Sequence, residues 1–157
     1  MSETAGRSFI IFHIFGQNIL EWLPITKEQN VLEIGSGCGP ITGVLARKAK
    51  SVTCIDLSKM RSTINAYRNR ECDNVKIMVG NFQDVESSLT EKYDYITLIG
   101  VFEYSQGYIG TAQPYVEMLR RIARHLAPGG RIVIAIENRL GLKYWAGCTE
   151  DHVGKIF

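Results

Sequence analysis

An α/β fold built on a doubly wound, mostly parallel sheet is predicted by three observations. Apolar, β-branched runs alternate with helical patterns along the chain after Pro24. The first run opens into a glycine-rich turn, "GSGCGP". The second run ends in an acid, Asp56, about 20 residues past the first glycine. Repeated strand–helix units of this size bury a parallel sheet between two layers of helices. Right-handed crossovers in two halves that both start from the first strand give the order 3-2-1-4-5. A ligand then sits past the carboxyl ends of strands 1 and 4, where the order reverses.

Each element has its own signal. In "SFIIFHIFGQNILEWLP", Phe15, Ile19, Trp22 and Leu23 fall at helical spacing and predict an amphipathic helix packed on the domain. Val31–Gly35 is a short apolar strand, and Ile41–Lys48 a helix with Ile41, Val44 and Leu45 on one face. Ser51–Asp56 is the second strand, and Ser58 is placed to cap a helix over Lys59–Arg70. Val75–Val79 and Tyr93–Ile99 are the third and fourth strands. Pro114–Leu126 reads as a helix with Val116, Leu119, Ile122, Ala123 and Leu126 as its stripe, stopped by "APGG". Arg131–Glu137 is the fifth strand. Three segments result: 1–25 as a helical lead-in, 26–140 as the sheet domain, and 141–157 as a short cover.

Composition narrows the function. With 45% hydrophobic and 22% charged residues in 157, the chain is one domain able to bury a core. The net charge of +2 argues against a nucleic-acid partner, which usually needs a concentrated basic face. The basic clusters Arg47–Lys50 and Arg120–Arg124 read as solvated helix faces. The apolar run Phe9–Phe15, interrupted by His13, is too short for membrane insertion. His13 reads as a structural residue. Cys38, Cys54, Cys72 and Cys148 lack CxxC spacing, so no metal is expected, and reduced thiols fit a cytoplasmic protein.

The chemistry of the turn lies in two departures from a dinucleotide fingerprint. Gly35 and Gly37 fit G-x-G-x-x-G, but Pro40 takes the third glycine's place and suits the first turn of the next helix. Glu33 sets a carboxylate two residues before Gly35. That charge would repel a pyrophosphate and attract an ammonium or sulfonium. Gly35, Ser36, Gly37 and Gly39 would then serve close backbone approach to a cationic ligand without phosphates. Asp56 can accept both hydroxyls of a ribose, and Leu57 can lie on a base face. In "VGNFQDV", Gly80 turns the chain, Asn81 and the Phe82 amide suit an adenine, and Asp84 caps the helix that follows.

The blocks "VLEIGSGCG", "VTCIDLS", "VGNFQD", "YDYITLIGVFEY" and "LAPGGRIVIAIEN" stand in the order and spacing of class I S-adenosylmethionine-dependent methyltransferases. The chain resembles that family over about residues 28 to 140. "NILEWLP", "INAYRNR", "IENRLGLKYWAG" and "EDHVGKIF" also resemble methyltransferase domains of bacterial surface-polysaccharide biosynthesis. The resemblance implies a Rossmann-like sheet with S-adenosyl-L-methionine as cofactor. It implies that Glu33, Gly35, Gly37 and Gly39 surround the methionine end, Asp56 holds the ribose, and Asn81 and Phe82 hold the adenine. Gly100 and Val101 would line the methyl-donor pocket, and the acceptor would be a small molecule or saccharide.

On the acceptor side, Glu103 and Tyr104 are expected nearest the methyl, with Glu103 resembling the acid that follows strand 4 in many small-molecule methyltransferases. Tyr108, Glu137, Asn138, Tyr144, Trp145 and His152 are further candidates. The family's usual sheet adds two antiparallel strands, and the 20 residues after Glu137 do not read as that pair. Strands 6 and 7 are therefore expected to be missing or truncated, with strand 5 a bare edge that dimer formation, fusion to further domains or the tail would cover. Two alternatives stand beside catalysis: a non-catalytic module that binds the cofactor within a larger polysaccharide-biosynthesis protein, and an NAD-dependent oxidoreductase, against which Pro40 and Glu33 argue.

Overall fold

The computed structural model describes residues 18–136 and 140–148. The expectations for His13, Phe15, Glu137, Asn138 and His152 lie outside those residues. Five parallel strands form one sheet in the order β3-β2-β1-β4-β5. They are β1 (Asn30–Ile34), β2 (Ser51–Asp56), β3 (Val75–Val79), β4 (Tyr93–Ile99) and β5 (Leu126–Ala135). The helices are α1 (Thr42–Lys48), α2 (Lys59–Arg68), α3 (Phe82–Val85), α4 (Ser105–Tyr108), α5 (Pro114–Ala123) and α6 (Leu142–Trp145). Short 3₁₀ turns cover Glu86–Ser88 and Phe102–Tyr104.

Both faces of the sheet are covered, which is why its strands read as continuous apolar runs. Side chains alternate between two cores. Val31, Val52, Cys54 and Tyr95 pack with Val44 and Leu45 of α1 on one face. Leu32, Ile55, Ile96 and Leu98 pack with Phe82 and Ile122 on the other. At the start of the described chain, residues 18–21 are helical, and Leu20 and Leu23 enter the first core. Trp22, expected on the packed face, is instead 72% exposed. Lys48 holds this segment by donating to the carbonyls of Leu20, Glu21 and Leu23.

Some boundaries differ from expectation for local reasons. Pro40 lies in the turn, because α1 starts at Thr42 with Ile41 as its N-cap. The helix before β5 ends at Ala123, and "APGG" falls inside the β5 range. Tyr93 pairs with Leu126 and Tyr95 with Arg131, so the strand is irregular between them. Pro128 has no N–H to give a ladder, and Gly129 turns at φ +76°. On α5, Val116 and Ala123 face solvent, while Ile122 enters the core and Met118 packs beside it.

Candidate active site

The glycine turn is pinned on three sides. The amides of Gly35 and Ser36 donate to the Ile55 carbonyl at 2.8 and 3.1 Å, tying the turn to β2. A Cβ on Gly35, which sits at φ +76°, would lie 2.2 Å from Val101 Cγ1, so the turn is pressed against the loop after β4. A Cβ on Gly39 would meet Asn65 Oδ1 of α2 at 2.1 Å. Gly37 has only open space beyond its Cα, as does Gly100 at the end of β4. Between these two glycines lies a cleft of about 480 Å³ at the carboxyl ends of β1 to β4.

Gly35, Gly37, Asp56, Leu57, Asn81, Phe82, Gly100, Val101 and Tyr104 all line this cleft. Asp56 is 4% exposed and bonded on both oxygens. Its Oδ2 accepts from the Gly37 amide at 2.9 Å, and its Oδ1 from the Ser58 amide at 2.8 Å and Arg61 Nε at 3.2 Å. Ser58 also caps α2, accepting from the Arg61 amide. Asn81 precedes α3 in extended conformation and makes no side-chain cap bond, and Phe82 behind it meets His125 edge to face.

Glu33, Ser36, Gly39 and Glu103 do not line the cleft. The Glu33 side chain is buried beneath the turn, where its Oε2 accepts from Thr42 Oγ1 at 2.6 Å and Cys54 Sγ at 3.3 Å. Burial raises its pKa to about 7, against the Thr42 and Cys54 bonds that lower it, with Asp56 adding to the rise. The same Thr42 hydroxyl accepts from Asn65, which in turn accepts from Asn69, a donor to the Gly39 carbonyl. Ser36 Oγ is buried without a hydrogen-bond partner, and so are both carboxylate oxygens of Glu103. Trp145 is exposed on the surface. Arg61, Gln83, Ser105, Ile109 and Met118 also line the cleft and were not anticipated. Arg61 was the findable one: it lies one turn into the helix that Asp56 introduces. Met118 lies outside the stripe that hydrophobic periodicity assigns to this helix, so no sequence signal marked it.

Residues 32–132, more than half the chain, match the family model described as a methyltransferase domain. Ribosomal RNA small subunit methyltransferase A of Listeria monocytogenes serovar 1/2a is 32% identical over 98 residues, covering 58% of this chain and 32% of its own length. The chain thus spans about a third of that curated relative. Among solved structures, coclaurine N-methyltransferase bound to N-methylheliamine and SAH superposes with a TM-score of 0.65 at 25% identity, covering 78% of this chain and 35% of that one. N-methyltransferase NodS from Bradyrhizobium japonicum gives 0.66 at 19%, covering 92% and 76%. The ribosomal RNA relative overturns the exclusion of nucleic acid and the saccharide acceptor. A net charge of +2 sums over the whole surface and carries no information about one face or about domains beyond the matched region.

Proposed function

The chain belongs to the methyltransferase-domain family, whose cofactor is S-adenosylmethionine, and on that premise we propose that it transfers the cofactor's methyl group to a nucleophile presented at the carboxyl end of β4. The observation that carries this reading is Asp56 at the end of β2, which is bonded to the Gly37 amide of the glycine turn and lines the same cleft. The residues fit the cofactor. Gly37 and Gly100 leave open space where a ligand approaches backbone.

Asp56 would hold the ribose, Leu57 would cover the base, and Asn81 with the Phe82 amide would bond its edge. Gly35, Gly37, Gly100 and Val101 would shape the methionine end and the methyl pocket. Glu33 would lie beneath the cationic end of the ligand as a buried acid rather than a contact, and a cation there would favour its ionised form. The bound cofactor supplies a methyl already activated on a sulfonium. The chain's task is to align the nucleophile and exclude water, which can contribute about 7–11 kcal/mol. Tyr104 lines the cleft on the β4 side, and Glu103 beside it carries a buried carboxylate with no donor.

The relatives' names supply two acceptor classes to test, a ribosomal RNA and a nitrogen of a small molecule. Methyl-labelled cofactor would be incubated with the natural full-length product and either small-subunit RNA or a panel of amines. Label entering one acceptor, and lost in Asp56→Ala, is the expected result. Cofactor binding with no label in any acceptor would leave the non-catalytic module as the correct reading.

A further inference from the structure

Arg61 occupies part of the site that the ribose would need. A carboxylate offers about four acceptor positions, two on each oxygen. Asp56 Oδ1 already takes two donors, the Ser58 amide and Arg61 Nε. Asp56 Oδ2 takes one, the Gly37 amide. Two of these three donors are backbone groups of the turn and of the α2 cap, and they are fixed by the fold. The third is a side chain 53% exposed, lining the same cleft, while its partner is 4% exposed. One position on Oδ2 remains for a ribose that brings two hydroxyls.

We propose that Arg61 is a specificity-determining residue that competes with the ribose for Asp56 and must swing out for both hydroxyls to bind. This rests on the cofactor reading above. Arg61 holds the carboxylate oriented in the absence of ligand, so Asp56 faces the cleft without an unpaired buried charge. A ligand with two vicinal hydroxyls displaces it. A ligand with one hydroxyl uses the remaining Oδ2 position and leaves the ion pair intact. Arg61 thus lowers affinity for the ribose form and narrows the margin over a 2′-deoxy analogue.

The test is calorimetric titration of S-adenosylhomocysteine, and of its 2′-deoxy analogue, into the wild-type chain, Arg61→Ala and Arg61→Lys. Arg61→Ala is expected to bind S-adenosylhomocysteine about two- to fivefold tighter, the range an exposed ion pair is worth. Its affinity for the 2′-deoxy analogue should be unchanged, and Arg61→Lys should behave as wild type. A merely structural role for Arg61 would shift the melting temperature without changing the ratio between the two ligands. Equal or weaker binding of S-adenosylhomocysteine by Arg61→Ala overturns the inference while leaving the cofactor reading intact. An equal gain for both ligands overturns it too. Failure of the folded wild type to bind either ligand overturns both.

Discussion

Glu33 lies below the glycine turn, and its ionisation is set by burial. With a pKa raised from 4.5 to about 7, it contributes stability that is fully present below pH 4.5 and lost as pH rises through about 7. Glu33→Gln keeps an acceptor for Thr42 and Cys54 and removes the titration. Thermal melts from pH 4.5 to pH 8 should therefore show wild type falling by up to about 3 kcal/mol relative to Glu33→Gln. A difference that stays flat with pH would refute the buried, raised acid. Gly35 and Gly37 separate strain from obstruction. Both have positive φ, but only at Gly35 does a Cβ collide, with Val101. Gly35→Ala should lower the melting temperature and weaken S-adenosylhomocysteine binding. Gly37→Ala should cost about 1–2 kcal/mol of backbone strain while projecting its methyl into the cleft. The two are told apart by melts beside titrations.

Among the elements, α2 has its polar side inward. Ser62 and Asn65 are buried, while Met60 and Tyr67 are 75% and 70% exposed. The inward face is polar because it holds the turn through Asn65, Thr42 and Asn69. Asn65→Ala should lower stability by about 1–3 kcal/mol, since Asn69 loses an acceptor and Thr42 a donor in the interior. Unchanged chemical denaturation would contradict that network. This helix also shows where the sequence is readable. The bounds of β2, β3 and β4 and the Ser58 cap follow from period-2 runs and cap chemistry. The inward asparagines do not, because hydrophobic periodicity cannot mark a face buried by hydrogen bonds. Nor does the phase of the α5 stripe, where Met118 turns to the cleft and Val116 to solvent. Asp56 was legible as a strand-end acid, but its three donors come from a turn, a cap and a helix, whose convergence is tertiary.

At the scale of the molecule, strands converge on one crevice where the order reverses, and residues from three of them meet there with Gly80, just past β3. A ligand that binds only this folded arrangement stabilises it by mass action. The most direct measurement is calorimetric titration of S-adenosylhomocysteine into the folded chain, with Asp56→Ala as the comparison. One site per chain is expected, weakened about tenfold or more in Asp56→Ala, as loss of a charge-assisted contact to the ribose requires. No binding by the folded wild type, or undiminished binding by Asp56→Ala, would contradict the assignment of this cleft to S-adenosylmethionine.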